Sequence, residues 1–403
     1  MPTLGFTDND GVDIGNKYVT KEYLSNNYAV LIPSITTAAA LFTGQNTYGE
    51  LGDNSTVDKS SPNTVVGGGT WKKISAGNFG TTSGIKTNGV LWSWGNNSYG
   101  QLGNNSTVNR SSPVTAIGTN SEWVDIGVGT DSALAVKSDG SLWTWGNNGS
   151  GQLGTNNAIN RSSPGTTVGA GNDWMKVAAN VDNYYAIKTT GLIYSWGNNY
   201  GGALGLGDTI NRSSPVTVVG TSTTTPWIKV AAGYYSAAAI KTDGTLWTWG
   251  ANYGGQLADG TTVNKSSPVT VAGGGTTWKE IAAGRTHMLA VKTDGTLWSW
   301  GNPTYGQLGI NNAGTARSSP GTVAGGGTTW STVYCGFYQS AAIKTDGSLW
   351  VWGQNVHGAI GDGTTIARSS PNTVNNLPGN SWKSVAFGTI GSIMAVIQEE
   401  GDW

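Results

Sequence analysis

LWSWGNNSYGQLGNNSTVNRSSP, residues 91–113, is the stretch that sets the architecture of this chain. Trp92 and Trp94 alternate with Leu91 and Ser93, so both indoles project from one face of a strand. Gly95 closes that strand. A polar, glycine-rich loop follows, then a basic residue and Ser-Ser-Pro. The pattern returns along almost the whole sequence. Counterparts of Gly95 stand at Gly44, Gly146, Gly197, Gly250, Gly301 and Gly353, with successive spacings of 51, 51, 51, 53, 51 and 52 residues, so there are seven units. A fixed period near 50 marks a repeat architecture.

Four short strands fit in each unit. The first is WKKISAG, Trp71 to Gly77, which recurs at Trp123, Trp174, Trp227, Trp278, Trp330 and Trp382. The second is the alanine-rich SAAAIK type, Ser236 to Lys241. It runs into an Asp-Gly turn, as at Asp243-Gly244, Asp294-Gly295 and Asp346-Gly347. Asp-Gly between two apolar runs is a strong hairpin signal. The third strand is LWTWG, Leu246 to Gly250. The fourth follows Ser-Ser-Pro, as in Pro215 to Gly220, where proline at a strand start suits an outer edge. Seven units of four antiparallel strands predict an all-β fold, a seven-bladed β-propeller over residues 38–403. The first unit lacks strands one and two and enters at Ala40 to Gly44. The last stops after them, at Trp382 to about Ile397. The chain ends are therefore expected to pair in one composite blade that leaves no open edge, with Ile397 close to Phe42.

Composition bounds the function. Charged residues make up 11% of the 403 and the net charge is −1, with no run of five or six like charges. A nucleic-acid partner needs clustered Lys and Arg, so none is expected. The 19 tryptophans must carry much of the core; each buries about 150–250 Å². One cysteine, Cys335, allows no internal disulfide and reads as a small buried residue. No stretch approaches the ~20 apolar residues of a membrane span. Two histidines, His287 and His357, are too few for a multi-histidine metal site, and Asp259-Gly260 and Asp362-Gly363 do not complete a calcium loop. No phosphate-cradling loop leads into a helix. No enzyme activity, metal or cofactor is expected.

The unit resembles the regulator of chromosome condensation repeat. The residues that carry the resemblance are the Trp-Gly pair, Tyr99-Gly100-Gln101-Leu102-Gly103, the basic-x-x-Pro step, Ala-Gly before strand two, and Asp-Gly. They cover about nine-tenths of the chain. That family includes exchange factors for the small GTPase Ran, a plant ultraviolet-B photoreceptor and bacterial secreted inhibitors of β-lactamase. Its eukaryotic members usually carry a histidine three residues after the Ala-Gly glycine; here only His287 holds that place. A basic DNA-binding tail and the photoreceptor's Gly-Trp-Arg-His-Thr motif are absent, so neither activity is implied.

Residues 1–37 stand outside the repeat. A short helix is expected around Tyr18 to Tyr28, with Tyr18, Tyr23, Leu24 and Tyr28 as apolar positions too few to form a core alone. These four are expected to dock on a partner. The run Asp13 to Leu24, DIGNKYVTKEYL, resembles the opening of virion structural proteins in large tailed phages of marine bacteria. The resemblance implies a non-enzymatic virion protein, a decoration, fibre or adhesin. It would assemble in the host cytoplasm, contact other virion proteins through residues 1–37, and leave by lysis. No basic n-region and apolar h-region marks a signal peptide. The alternative is a cellular or secreted protein-binding or inhibitor propeller of the same family.

The loops between strands one and two diverge where most other positions agree. They carry Phe79, Asp131, Asn183, Tyr234, Tyr235, Arg285, His287, Phe337, Tyr338 and Gln339, with Thr389-Ile390-Gly391 in the last unit. In an antiparallel blade they share a face with the long loops after Trp-Gly. Varied aromatic and polar side chains on one rim of a rigid ring suit a host-surface glycan or a protein loop. Two repeated basic sets read as structural. Lys59, Arg110, Arg161, Arg212, Lys265, Arg317 and Arg368 would form a ring able to hold an acidic partner, but are expected each to pack on a nearby aromatic or to hydrogen-bond their own loops. Lys86, Lys137, Lys188, Lys241, Lys292 and Lys344 are expected to form a solvated face.

Overall fold

The computed structural model describes residues 40–118, 121–169, 171–311, 314–374, 381–388 and 393–398. Residues 1–37, with Tyr18, Tyr23, Leu24 and Tyr28, and the loop Thr389-Ile390-Gly391 lie outside the described residues. Among the described residues, 28 strands form seven four-stranded antiparallel sheets, and helix is confined to one 3₁₀ turn at Tyr200–Gly202. In blade one the order from the axis outward is Trp71–Ala76, Thr81–Lys86, Leu91–Gly95 and Arg110–Thr115. Blades two to six repeat that order, with inner strands starting at Trp123, Trp174, Trp227, Trp278 and Trp330.

The seventh blade is composite, as the sequence predicts. Lys59–Thr64 and Ala40–Gly44 form its outer half; Ile393–Gln398 and Trp382–Gly388 form its inner half. Ala40 pairs with Ile397 and Phe42 with Ala395 in an antiparallel ladder. Phe42 and Ile397 share one buried cluster with Trp71 and Trp94 of blade one.

The core lies between blades. Ala238, Ile240 and Leu246 of blade four pack on Trp278, Met288, Ala290 and Trp300 of blade five, and each neighbouring pair of blades repeats this. The second tryptophan of the third strand is a rivet. Trp94, Trp145, Trp196, Trp249, Trp300 and Trp352 are fully buried, and each indole N–H donates to a loop carbonyl of the preceding blade at 2.8–2.9 Å. In the composite blade Thr43 takes that place, its hydroxyl within reach of Gly358 O at 3.0 Å and Lys59 O at 2.7 Å. A buried polar group costs little once bonded, so the ring gains both area and register.

One expectation is corrected here. The six lysines before the hairpin turns are not a solvated face. Each ammonium lies over two rings, one from the inner strand and one from the third, 4.1–5.3 Å from the centroids. Lys137 and Lys241 are only 9% exposed. The register explains this: Lys86 pairs with Trp71 across the strands, which sets the ammonium beside Trp92 as well. The negative faces of two indoles replace part of its water shell.

The second basic set matches its expectation in six blades. Lys59, Arg212, Lys265 and Arg368 pair with Asp53, Asp208, Asp259 and Asp362 of their own loops. Arg161 and Arg317 donate to Thr166 O and Thr322 O.

Candidate functional site

The loop between strands one and two has a three-place logic that fixes which side chains reach the rim. Its first place holds Asn78, Thr130, Val181, Tyr234, Arg285 and Phe337, whose side chains meet between blades: Asn78 with Thr130, and Tyr234 and Arg285 with Phe337. Backbone bonds run from loop to loop here, Thr130 N to Val181 O at 2.9 Å, Tyr234 N to Gly284 O at 3.3 Å and Arg285 N to Phe337 O at 3.2 Å. Glycine precedes this place in five of the six blades, with Asn180 in the third; in blade five a Cβ on Gly284 would meet Gly336 O at 2.6 Å. The second place faces the long loop of the preceding blade: Gly80, Asp131, Asp182, Tyr235, Thr286 and Tyr338, with Phe79 an extra residue before it in blade one. The third place begins strand two and points under the rim.

The third place corrects three of the sequence-based rim residues. Asn183, His287 and Gln339 are at most 1% exposed. Asn183 Nδ2 bonds Gly233 O at 3.3 Å. His287 Nε2 lies 3.0 Å from Ser340 Oγ, which itself donates to Gln307 O at 2.7 Å. The imidazole must therefore be the donor. Burial pushes its pKa down to about 4, so it stays neutral. Strand alternation, not loop membership, decides these three.

Of the remaining residues, Tyr234, Tyr235, Arg285, Phe337 and Tyr338 come together on one arc, over blades four to six. Tyr234 touches Tyr235 and Phe337, with centroids 4.4 and 5.5 Å apart, and Phe337 touches Tyr338 at 4.7 Å. Arg285 lies among three of these rings, 4.6 Å from Phe337, 5.4 Å from Tyr234 and 5.5 Å from Tyr338, and donates to the Tyr338 hydroxyl. Among the described residues no carboxylate lies within ion-pair distance of this guanidinium.

Phe79 and Asp131 stand apart, on the arc of blades one to three. Phe79 is 45% exposed. Asp131 accepts from Gln101 Nε2 at 3.4 Å, and Asp182 accepts from Gln152 Nε2 at 3.0 Å. Burial, then the charge of Asp182, pushes Asp131 up to about 6. Burial also raises Asp182, against the pull of Gln152. The rim is thus divided into an acidic arc and an arginine-tyrosine arc.

Three tyrosines that the sequence reading did not single out complete the second arc. Tyr200, Tyr253 and Tyr305 come from the long loops, are 55, 55 and 39% exposed, and frame a cavity of about 560 Å³ with Tyr235, Arg285 and Tyr338. Burial pushes Tyr235 and Tyr253 up to about 12, which keeps both hydroxyls as donors. The cavity exists because two places shrink. Ala251 stands where blades one to three have Asn96, Asn147 and Asn198, and Thr286 stands between the larger Tyr235 and Tyr338. A signal was present: in Asn199-Tyr200 and Asn252-Tyr253 the tyrosine sits one residue earlier than in Asn97-Ser98-Tyr99.

The seven inner strands also enclose a central channel of about 670 Å³. Its charges are largely used internally. Lys73 pairs with Asp125, Lys229 with Glu280, and Lys176 Nζ donates to Ile228 O at 3.1 Å. Cys335 borders it, and burial pushes the thiol pKa up, away from nucleophilic chemistry. Among the described residues no group of three His, Cys, Asp or Glu is placed to hold a metal ion, and no helix is long and apolar enough to cross a membrane.

A profile of the regulator of chromosome condensation (RCC1) repeat matches residues 88–136, 139–181, 190–240, 243–291, 294–343 and 346–394. The chain belongs to the RCC1 repeat family. It is 26% identical over 340 residues to the ultraviolet-B receptor UVR8 of Arabidopsis thaliana, covering 83% of this chain and 77% of that protein. It is 28% identical over 322 residues to the human E3 ubiquitin-protein ligase HERC2, covering 78% of this chain and 7% of that protein. Two solved structures share the fold. Human WBSCR16 superposes with a TM-score of 0.79 at 22% identity, over 90% of this chain and 99% of that one. Yeast RCC1 (Prp20), in a complex with Kap60, superposes with a TM-score of 0.77 at 19% identity, over 91% of this chain and 90% of that one.

Proposed function

We propose that this RCC1-repeat propeller is a non-enzymatic binding module that takes its partner on the arginine-tyrosine arc of the rim. The observation that carries the reading is the cavity beside Arg285, framed by partly exposed tyrosines on an otherwise regular ring. Tyrosine gives large contact area with few rotors and a polar tip, the usual make-up of a recognition surface. Rigid strands hold both loop sets, so little order is lost on binding. The test is binding of labelled full-length protein to a printed glycan array and to a displayed peptide library. Tyr200→Ser with Tyr305→Ser should abolish the bound set while Phe79→Ser, on the other arc, leaves it intact. Equal loss from both variants, or none from either, refutes the assignment of the arc.

We further infer that this binder is carried on a phage particle, docked through residues 1–37. The support is the sequence of Asp13 to Leu24. Deleting residues 1–37 should abolish particle association and leave a folded ring, since the closing blade begins at Ala40. Undiminished incorporation of the truncated protein refutes it. A cellular or secreted binder of the same fold would use the same arc; its gene would lie beside cell-wall or secretion genes instead of capsid, tail or baseplate genes.

A further inference from the structure

The repeat supplies its own control for reading the cavity. In blades two and three the second loop place is an aspartate. Asp131 and Asp182 put a carboxylate against the side-chain amides of Gln101 and Gln152. Those amides are held in one orientation, because each Oε1 accepts a backbone N–H two residues earlier, Tyr99 N at 2.9 Å and Ser150 N at 2.7 Å. Gln256 is their counterpart beside blade five, and its Oε1 accepts Gly254 N at 2.8 Å in the same way. With Oε1 held in this way, Nε2 is the amide's remaining polar atom, and Gln256 lines the cavity. The aspartate is missing: Thr286 stands there, with a hydroxyl that is buried and has no partner. An amide of the kind that meets a carboxylate in blades two and three therefore borders a cavity here.

Charge points the same way. The cavity lining contains Arg285 and no acidic residue. Arg285 has rings around it and no ion-pair partner among the described residues. A buried or half-buried guanidinium favours an anion over water. Size then decides what carries the anion. An aspartate side chain fills this place in its own blade, as Asp131 and Asp182 show. The 560 Å³ here is far larger and is walled by the rings of Tyr235, Tyr253 and Tyr305. A ring-shaped polyhydroxylated body attached directly to the carboxylate suits that space. Apolar pyranose C–H faces pack on tyrosine rings, and the phenol and amide groups meet the hydroxyls.

We propose that the cavity beside Thr286 is a subsite for a uronic-acid sugar, whose carboxylate occupies the place that Asp131 and Asp182 fill in their own blades. It would accept from Gln256 Nε2, with Arg285 supplying the opposite charge. This rests on the reading of the arc as a binding site.

Digalacturonic acid is the probe, with its dimethyl ester as the uncharged control and a glutamate-containing tripeptide as the competing source of a carboxylate. Binding to the full-length protein is followed by saturation-transfer NMR and titration calorimetry. The acid should bind at least tenfold more tightly than the ester and the tripeptide. Thr286→Asp restores the arrangement of blades two and three with the protein's own carboxylate, so the fold should persist and the acid should bind at least tenfold more weakly. Gln256→Glu is the second variant, since Glu50 already occupies this place in the composite blade; it too should lose the acid at least tenfold. Equal binding of acid and ester overturns the carboxylate assignment. Tighter binding of the tripeptide overturns the sugar assignment. Unchanged affinity in both variants, or no binding of the acid to the parent protein, overturns the subsite. In each of these cases the array experiment still decides whether the arc binds anything, so the two readings fail separately.

Discussion

Glu50→Gln should stabilise the propeller, and more so as the pH rises. Glu50 occupies the place of Gln101, Gln152, Gln256 and Gln307, is 2% exposed, and accepts Tyr48 N at 2.5 Å. Burial raises its pKa from 4.5 to about 7; the charge of Asp58 adds to this, and the backbone N–H groups around Tyr48 oppose it. A carboxyl whose folded pKa lies above its unfolded one binds its proton more tightly in the native state. Stability from this group is complete below the unfolded value of 4.5 and is lost as the pH climbs to about 7. The gap of about 2.5 pH units corresponds to roughly 3 kcal/mol at ~1.36 kcal/mol per unit. Glutamine keeps the acceptor for Tyr48 N and carries no charge. Its extra N–H is tolerated in this place, since Gln307 Nε2 is buried without a partner. With an unfolding entropy of ~2.1 cal/mol/K per residue, 3 kcal/mol on a chain of about 400 residues moves Tm by roughly 3–4 °C. The assay is calorimetric Tm of both proteins from pH 4 to pH 8. The difference should be near zero at pH 4 and reach its maximum above pH 7. A difference that stays constant with pH, or that favours the parent protein at pH 8, refutes the reasoning.

Further substitutions probe the ring itself. Lys241→Ala removes an ammonium held 4.7 Å from both Trp227 and Trp247, with its packed stem; a loss of about 2 kcal/mol is expected in urea unfolding, with little dependence on salt. Trp300→Phe leaves Gln256 O without the indole donor now at 2.9 Å. It should cost about 2–3 kcal/mol by the same measurement and weaken sugar binding at the neighbouring cavity. Phe42→Ala opens a void between the composite blade and Trp94; about 3–5 kcal/mol is expected, with limited proteolysis cutting first near the two terminal strand pairs.

The repeat made the architecture legible. A period near 50, Asp-Gly turns and the split of strands between the two ends were enough to place Phe42 and Ile397 in one closing sheet, where the structure has them. Local pattern failed for the turn-flanking lysines, because their environment depends on two tryptophans brought from other strands. It failed again for Asn183, His287 and Gln339, where one residue along the chain separates the rim from the interior.

What the sequence determined by itself was the unit, the number of units and the manner of closure. All three follow from periodic burial and turn chemistry that repeat along the chain. What only tertiary structure decided was where the ring departs from its own symmetry. Ala251 and Thr286 are ordinary small residues in their own strands and loops. They become a cavity only because the ring sets Ala251 of blade four and Tyr200 of blade three beside Arg285, Thr286 and Tyr305 of blade five, and no local pattern records that distance.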